Sequence, residues 1–323
     1  MPLFEEYVLP EAEEKPTLAA ALRVFLEGKS WAQVRQLISG RRIEVNETLC
    51  LDDARRLDPN DVIRVWQEAL PKPPGEDAVR IVHCDAHLVV VDKPAGIMTV
   101  RHRAEREWPE LRKNNQPSLD EMVYNLLGRT AGGKKSTHGP RLRIVQRLDR
   151  DTSGLIVFAR SVTAERYLAS QFKAHTVIRR YLAIIEGQLE LARIESTLVR
   201  DRGDGLRGSH PTTGQTAITH VAPLEELSGY SLVECRLETG RTHQIRIHLG
   251  EQGNRLCGEK VYRRQMHRSH TKDLSGAKRQ ALHAAELGFI HPGTEKEIRF
   301  ESEMPDDMRR LWEKLRKADE KKG

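Results

Sequence analysis

IVQRLDRDTSGLIVFAR, residues 144–160, places a charged segment between two apolar runs. Short apolar runs around a polar break are typical of a strand, a tight loop and a second strand. Charged loops between buried strands are common positions for functional side chains. The same pattern also fits a solvated turn, in which Asp149 or Asp151 caps the following turn and Gly154 supplies an unusual backbone angle. The pattern alone leaves both interpretations open.

Composition limits the classes of protein that the chain can represent. It has 323 residues, 38% hydrophobic and 31% charged, which is enough for two domains with apolar cores. The acidic N-terminus and the lack of a long apolar run predict a cytoplasmic protein without a membrane span. The formal net charge of +6 suits a polyanionic partner without requiring one. No C-x-x-C pair occurs among the cysteines, which disfavours a structural zinc site or a disulfide framework: Cys50, Cys84, Cys235 and Cys257.

Local patterns divide the chain into five segments. Residues 1–15 are acidic and are expected to form a flexible arm. Residues 16–69 contain two short amphipathic helices followed by strands, and the Pro-rich segment 70–78 reads as a linker. Residues 79–304 alternate strands with helices and form the larger predicted domain. Residues 305–323 are expected to be a charged, solvated helix or tail.

Two motifs of other protein classes are incomplete. The spacing from Gly128 to Lys134 is that of a phosphate-binding loop, but Lys135 stands where Ser or Thr would hold magnesium. His243 and His248 are five residues apart, so they do not share a helical face as an i, i+4 metal-binding pair would. We therefore predict neither a nucleotide triphosphatase nor a metal site.

Four sequence blocks resemble the RluA-type family of RNA pseudouridine synthases. RLDRDTSGL, residues 147–155, matches the family signature R-L-D-x-x-T-S-G-L. The other blocks are VVDKPAG at 90–96, YLA at 181–183 and TGRTHQIRIH at 239–248. Two positions depart from the family pattern: Gln146 replaces a usual His, and Glu259 replaces the Asp of a G-D-x-x-Y element.

This resemblance implies an α+β fold. The larger domain would be a catalytic domain built on a mixed, mainly antiparallel β-sheet flanked by helices and loops. Residues 16–69 resemble the small alpha-L RNA-binding domain of a small-subunit ribosomal protein, in which Ser30 would cap the second helix and Gly40 would end it. Arg35, Arg41 and Arg42 near that helix are its expected RNA contacts.

The resemblance also assigns the catalytic residues. Pseudouridine formation needs a carboxylate against the sugar, because positive charge develops there as the glycosidic bond breaks. Asp149 takes this place, as nucleophile or as the base that removes a sugar proton. Arg246 would pair with Asp149, keep it ionised and orient it through two parallel hydrogen bonds. Tyr181 would pack on the uracil and help to move its proton. The reaction requires no cofactor.

The remaining expected site residues would bind RNA. Arg147 would fill the gap left by a flipped uridine, and Arg241, His243 and Gln244 would contact the RNA, whereas Lys93 reads as a loop-fixing residue. The predicted partner is ribosomal RNA of the large subunit, or tRNA, bound by a monomer. Two other functions stay open: a catalytically inactive RNA-binding or ribosome-assembly protein, and a base-cleaving enzyme that releases free uracil.

Overall fold

A computed structural model describes residues 4–10, 15–46, 48–101, 105, 107–108, 110–130, 142–203, 206–263 and 273–321. The chain divides into two compact units, Met1–Lys72 with Asp201–Arg207, and Pro73–Arg200 with Gly208–Gly323. The division after Lys72 falls inside the segment predicted as a linker. Most of the incomplete phosphate-binding loop, from residue 131 onward, lies outside the described residues.

The described chain combines single or paired helices with runs of consecutive strands. The helices are α1 (Leu18–Phe25), α2 (Trp31–Ser39), α3 (Glu110–Asn115), α4 (Leu119–Thr130), α5 (Val162–Lys173), α6 (Gln244–Gln252) and α7 (Asp306–Glu320), with a short 3-10 helix at Glu76–Ala78. The strands are β1 (Phe4–Val8), β2 (Ile43–Val45), β3 (Thr48–Leu49), β4 (Val62–Trp66), β5 (Arg80–Cys84), β6 (Leu88–Lys93), β7 (Arg143–Ile144), β8 (Ser153–Ala159), β9 (Ile178–Glu186), β10 (Ala192–Val199), β11 (Gly208–Ser209), β12 (Gln215–Leu227), β13 (Tyr230–Leu237), β14 (Leu282–Ile290) and β15 (Glu297–Glu301).

The N-terminal unit packs two helices on an antiparallel sheet of order β1-β4-β2-β3. Ser30 and Gln33 form a reciprocal capping box at the start of α2, and Gly40 ends that helix, which confirms both predicted termini. The apolar faces of α1 and α2 meet the sheet in one core, which includes Leu18, Leu22, Val34, Ile38, Ile43 and Ile63.

The expectation that residues 1–15 form a flexible arm is wrong for residues 4–8. These residues form β1, which pairs antiparallel with β4 along its whole length. Arg64 of β4 is almost fully buried, and Glu6 of β1 accepts a hydrogen bond from its Nε at 2.7 Å. A buried guanidinium requires such a partner, so the ion pair ties the acidic segment to the sheet.

The larger unit is organised around an eleven-stranded sheet in the part of the chain that the structure describes. Its main path is β11-β10-β12-β13-β9-β14-β8-β6-β5, while β15 pairs with β14 and β7 with β8. Strands β8 and β14 run parallel and the other described pairs run antiparallel. The predicted mixed, mainly antiparallel sheet is therefore confirmed, as is the strand, loop and strand over residues 144–160.

Side-chain alternation along β9 assigns the two faces of this sheet. Tyr181, Ala183 and Ile185 belong to the apolar core that also contains Leu148 and Ile245, the neighbours of Asp149 and Arg246. Ile184, between them, belongs to a separate core on the other face. The candidate catalytic residues thus gather on the face of the sheet that carries Tyr181.

The C-terminal segment is a helix, as predicted, but it is not simply solvated. One side of α7 is buried with Ile184 in the second core and comprises Met308, Leu311, Trp312 and Leu315. These positions follow the i, i+3, i+4, i+7 spacing of an apolar stripe, which the surrounding charged residues obscure in the sequence. In the described residues, no helix is both long and apolar enough to cross a membrane.

Candidate active site

The loop that carries Asp149 is fixed through its own backbone. Thr99 is buried, and its hydroxyl donates to the Leu148 carbonyl at 2.7 Å and accepts from the Leu148 amide at 3.1 Å. The Gly96 amide donates to the Arg150 carbonyl at 2.8 Å. The segment after β6 therefore holds the residues on both sides of Asp149.

Lys93, at the end of β6, anchors the same loop from within the core. Its side chain is fully buried, and Nζ donates to the carbonyls of Pro94, Arg150 and Thr152 at 3.2, 2.8 and 2.7 Å. Burial lowers the pKa of Lys93 to about 7, although the charges of Asp151 and Asp149 oppose this. The prediction of a loop-fixing role for Lys93 is confirmed by these three hydrogen bonds.

A second anchor comes from the segment before β14. Arg279 Nη1 donates to the Asp151 carbonyl at 3.1 Å, and Gln280 Nε2 donates to Thr152 Oγ1 at 3.0 Å. Gly154 has φ +110°, and a Cβ there would lie 2.2 Å from the Ala284 carbonyl oxygen. Glycine is required at this position because β8 and β14 approach each other so closely.

Asp149 receives one hydrogen bond from Arg246. The Arg246 Nη1 donates to Asp149 Oδ2 at 3.2 Å, and the Asp149 side chain remains 23% exposed. The predicted pair is therefore present. The expected parallel pair of hydrogen bonds to Asp149 is wrong, because the other two guanidinium nitrogens of Arg246 bind Glu259.

Glu259 is a site residue whose contact the sequence did not predict. Its carboxylate accepts from Arg246 Nε at 2.9 Å and Nη2 at 2.8 Å, and its side chain is 1% exposed. Burial by itself raises the pKa of Glu259, but the charge and hydrogen bonds of Arg246 outweigh burial, so the pKa lies below its usual value. The sequence signal for this contact was the position of Glu259 in the G-D-x-x-Y element, where we noted only that Glu replaces the usual Asp.

His243 lies beside the same carboxylate. Its Nε2 is 3.7 Å from Asp149 Oδ1, and its Nδ1 is 2.7 Å from the hydroxyl of Tyr262. His243 is the N-cap residue of α6 and has a φ of 59°. A left-handed conformation at a non-glycine residue is uncommon and occurs often at functional sites.

Tyr181 lies within β9, the strand Ile178–Glu186. It is 7% exposed in the core next to the loop that carries Asp149. Burial raises the pKa of its hydroxyl, Arg179 opposes that rise, and the charge of Asp149 adds to it. The Tyr181 phenol therefore stays protonated at neutral pH.

The expected RNA contacts differ in accessibility. Arg147 is exposed beside the catalytic loop. Arg241 is half-buried, and its Nε donates to the Thr216 carbonyl at 3.0 Å. Gln244 is 3% exposed, and its amide bonds Thr239, Arg241, Ile218 and Thr219. These contacts use the whole amide group of Gln244, so it braces the start of α6 and has no group left for RNA.

The arginines of the N-terminal unit also have different environments. Arg35 is exposed and pairs with Asp53 at 3.3 Å. Arg41 donates to the carbonyls of Leu70 and Pro71, which ties it to the backbone. Arg42 is half-buried. Of the three, Arg35 is the cation most open to a polyanion.

One cluster in the described residues has the composition of a metal site: His83, Asp85 and His291. His291 Nδ1 accepts from the amides of Gly293 and Thr294, so its proton is on Nε2, which donates to Asp85 Oδ2 at 2.7 Å. A protonated nitrogen cannot coordinate a metal, so the donor set fits a hydrogen-bonded clamp.

His248 does not share the neighbours of His243. Its ring lies between the hydroxyls of Ser196 and Thr219, and burial lowers its pKa to about 4.

Comparison with known proteins identifies the family of this site. The family described as RNA pseudouridylate synthase matches residues 87–251. The chain is 36% identical over 321 residues to the ribosomal large subunit pseudouridine synthase D of Zymomonas mobilis, covering 96% of this chain and 97% of that protein. The chain belongs to the RNA pseudouridylate synthase family.

Other relatives agree with this assignment. The synthase is 32% identical to the uncharacterized RNA pseudouridine synthase YlyB of Bacillus subtilis, covering 89% of this chain and 90% of that protein. Its fold is similar to that of human RNA pseudouridylate synthase domain containing 4, with a TM-score of 0.57, 21% identity and coverage of 73% of this chain and 92% of that one. The family expected from the sequence blocks is thereby confirmed, and with it an isomerase that acts on RNA.

Proposed function

We propose that this synthase isomerises specific uridines of large-subunit ribosomal RNA to pseudouridine. The name of the Zymomonas mobilis relative supports this RNA class, and the net charge of +6 suits a polyanionic substrate. A tRNA substrate is the alternative within the same reaction. The observation that carries the proposal is the Asp149 carboxylate, which is partly exposed on a loop held by buried anchors.

The reaction breaks one bond and forms another without a net change of atoms. The bond between the uracil N1 and the sugar C1′ breaks, the base rotates, and C5 joins C1′. The proton lost from C5 balances the proton gained at N1. Asp149 acts on the sugar, either as a nucleophile at C1′ or as the base that takes a sugar proton. Arg246 orients this carboxylate through its single hydrogen bond.

The neighbouring side chains complete the proposed site. Tyr181 packs on the uracil, and as a protonated phenol it can exchange protons with the base. Arg147 is exposed next to the loop and fills the space that the flipped uridine leaves. Arg241 and His243 contact the RNA near Asp149. No step of this scheme requires a cofactor.

The N-terminal unit is proposed to be an alpha-L RNA-binding domain. Its helices α1 and α2 precede strands β2, β3 and β4 of the small sheet, which matches the order of helix, helix and sheet expected of this domain, and Arg35 presents an exposed cation beside α2. We further propose that the enzyme acts in the cytoplasm as a monomer.

Incubation of large-subunit ribosomal RNA, transcribed in vitro, with the wild-type protein and with Asp149→Asn tests this function. The wild type should produce pseudouridine at specific positions and no free uracil. Asp149→Asn should reduce product to background while folding and RNA affinity stay close to wild type, because the change removes charge and nucleophilicity but not shape. Pseudouridine mapping, chromatography of released base and a binding titration give the three readouts.

Each other function predicts a different result. Tight RNA binding by the wild type without any product would indicate an RNA-binding or assembly protein. Release of free uracil would indicate a base-cleaving enzyme. Pseudouridine in tRNA transcripts but not in ribosomal RNA would show that the substrate is tRNA. Turnover by Asp149→Asn would show that Asp149 is not the catalytic carboxylate.

A further inference from the structure

The Glu259 carboxylate accepts hydrogen bonds both from Arg246 and from the backbone of its own turn. Its Oε1 accepts from Arg246 Nη2 and from the backbone amides of Lys260, Val261 and Tyr262 at 2.8, 3.0, 2.9 and 3.3 Å. Its Oε2 accepts from Arg246 Nε at 2.9 Å. A carboxylate held by three amides of its own turn cannot follow Arg246, so the turn fixes the arginine.

The contacts of Arg246 with Glu259 determine how Arg246 meets Asp149. A guanidinium is planar and rigid, so two hydrogen bonds from Nε and Nη2 to one carboxylate fix the position of Nη1. That nitrogen is the one that donates to Asp149 Oδ2 at 3.2 Å. The Tyr262 ring adds a second restraint, because the Arg246 guanidinium carbon lies 5.1 Å from its centroid.

The same turn also holds the other neighbour of Asp149. The Tyr262 hydroxyl is 2.7 Å from His243 Nδ1, and His243 Nε2 is 3.7 Å from Asp149 Oδ1. Residues 259–262 therefore contact both of the side chains that flank the carboxylate oxygens.

We propose that Glu259 is a positioning residue for the isomerisation, which acts by fixing Arg246 so that only Nη1 reaches Asp149. The inference rests on the proposed function. Without the Glu259 charge, Arg246 is free to turn its fork onto Asp149 and to form a closed bidentate pair. Such a pair would offset the charge of the Asp149 carboxylate and turn it away from the sugar. Catalysis is therefore better served when Arg246 divides its hydrogen bonds between Glu259 and Asp149.

The principal test replaces Glu259 with Gln and measures single-turnover rates at saturating large-subunit ribosomal RNA. A displacement of about 1 Å at a reacting group can cost about a hundredfold in rate, and we expect Glu259→Gln to lose roughly this factor with RNA affinity unchanged. Glu286→Gln is the matched control, because Glu286 pairs with Arg180 at 2.7 Å elsewhere in the sheet.

The division of the effect between rate and binding separates positioning from simple structural support. Glu259→Gln replaces no residue that contacts Asp149, but it frees Arg246 to turn toward that carboxylate. The loss should therefore appear in the single-turnover rate and not in the RNA dissociation constant. An equal loss of rate and of RNA affinity contradicts the proposal.

A double-mutant cycle with Arg246→Lys tests whether Glu259 acts through the arginine. If it does, Glu259→Gln should cost little additional rate in the Arg246→Lys background, because the guanidinium it fixes is already absent. Full additivity, or a wild-type rate for Glu259→Gln, overturns the inference. Absence of pseudouridine with the wild type would instead overturn the proposed function.

Glu259→Asp covers the case in which the Gln variant does not fold. It keeps the charge and shortens the side chain by one methylene, so it should unfold near the wild-type temperature and lose rate. A folded Glu259→Asp with the wild-type rate would show that the position of Arg246 does not depend on the reach of residue 259, which contradicts the proposal.

Discussion

The catalytic loop and the arginine-bearing surface of the N-terminal unit use charge in opposite ways. Asp149 lies among buried partners: Lys93 and Thr99 bind its loop, and Arg246 binds its carboxylate. Arg35 is 63% exposed and pairs only with the half-exposed Asp53. Chemistry requires a fixed geometry, whereas attraction of a polyanion depends mainly on exposed charge. Substitutions in the two regions should therefore affect different measured quantities.

Arg246→Lys should produce the largest loss in this comparison. Lysine keeps the charge but cannot make two hydrogen bonds to Glu259 and a third to Asp149. We expect the single-turnover rate to fall about a hundredfold, with RNA affinity changed little. A near-normal rate for the lysine variant would mean that charge alone is sufficient at this position, and the distinction between the two regions would fail.

Thr99→Val should have an intermediate effect. Valine has the shape of threonine but leaves the buried amide and carbonyl of Leu148 without the hydroxyl that bonds both. Such a loss costs about 1–3 kcal/mol of stability, and we expect about a tenfold slower single turnover. Thermal unfolding and rate are measured together with Thr197→Val as the control, because Thr197 bonds the His210 carbonyl in another part of the sheet. Equal single-turnover rates for Thr99→Val and Thr197→Val would show that the contact of Thr99 with Leu148 does not affect catalysis.

Arg35→Gln should have the smallest effect, and it should appear in binding only. Exposed ion pairs contribute at most about 1 kcal/mol, so the fold should be unaffected by loss of the Asp53 contact. The slope of log affinity against log salt should fall by about 0.7 to 0.9 if Arg35 contacts one phosphate. Arg236→Gln, an exposed arginine of the larger unit, is the charge-matched control. A slope identical to that of the control would remove Arg35 from the RNA surface.

Features set by neighbouring residues could be predicted from the sequence. The capping box of Ser30 and Gln33, the end of α2 at Gly40 and the strand, loop and strand around Asp149 depend on local patterns. The pairing of Arg246 with Asp149, 97 residues apart, was expected only because the sequence blocks resemble a family. Its geometry was not predictable, since the resemblance carries no hydrogen-bond pattern.

Features set by distant partners were missed or misread. The acidic segment 4–8 was read as an arm because its strand character depends on Arg64, 58 residues from Glu6. Glu259 was noted as a letter that departs from a motif, and its two bonds to Arg246 become visible only in three dimensions. Gln244 was expected to contact RNA, whereas in the structure its side chain is buried and its amide bonds Thr239, Arg241, Ile218 and Thr219, contacts that no local pattern predicts.

We infer that buried contacts hold the loop around Asp149 in place before RNA binds. Amide hydrogen exchange of the free protein tests it directly, at the Leu148 amide bonded to Thr99 and at the Gly203 amide bonded to the exposed Asp201 side chain. We predict that Leu148 exchanges only through large-scale unfolding, far more slowly than Gly203. Exchange of Leu148 at a rate close to that of Gly203 would mean that the loop opens freely and would contradict this account.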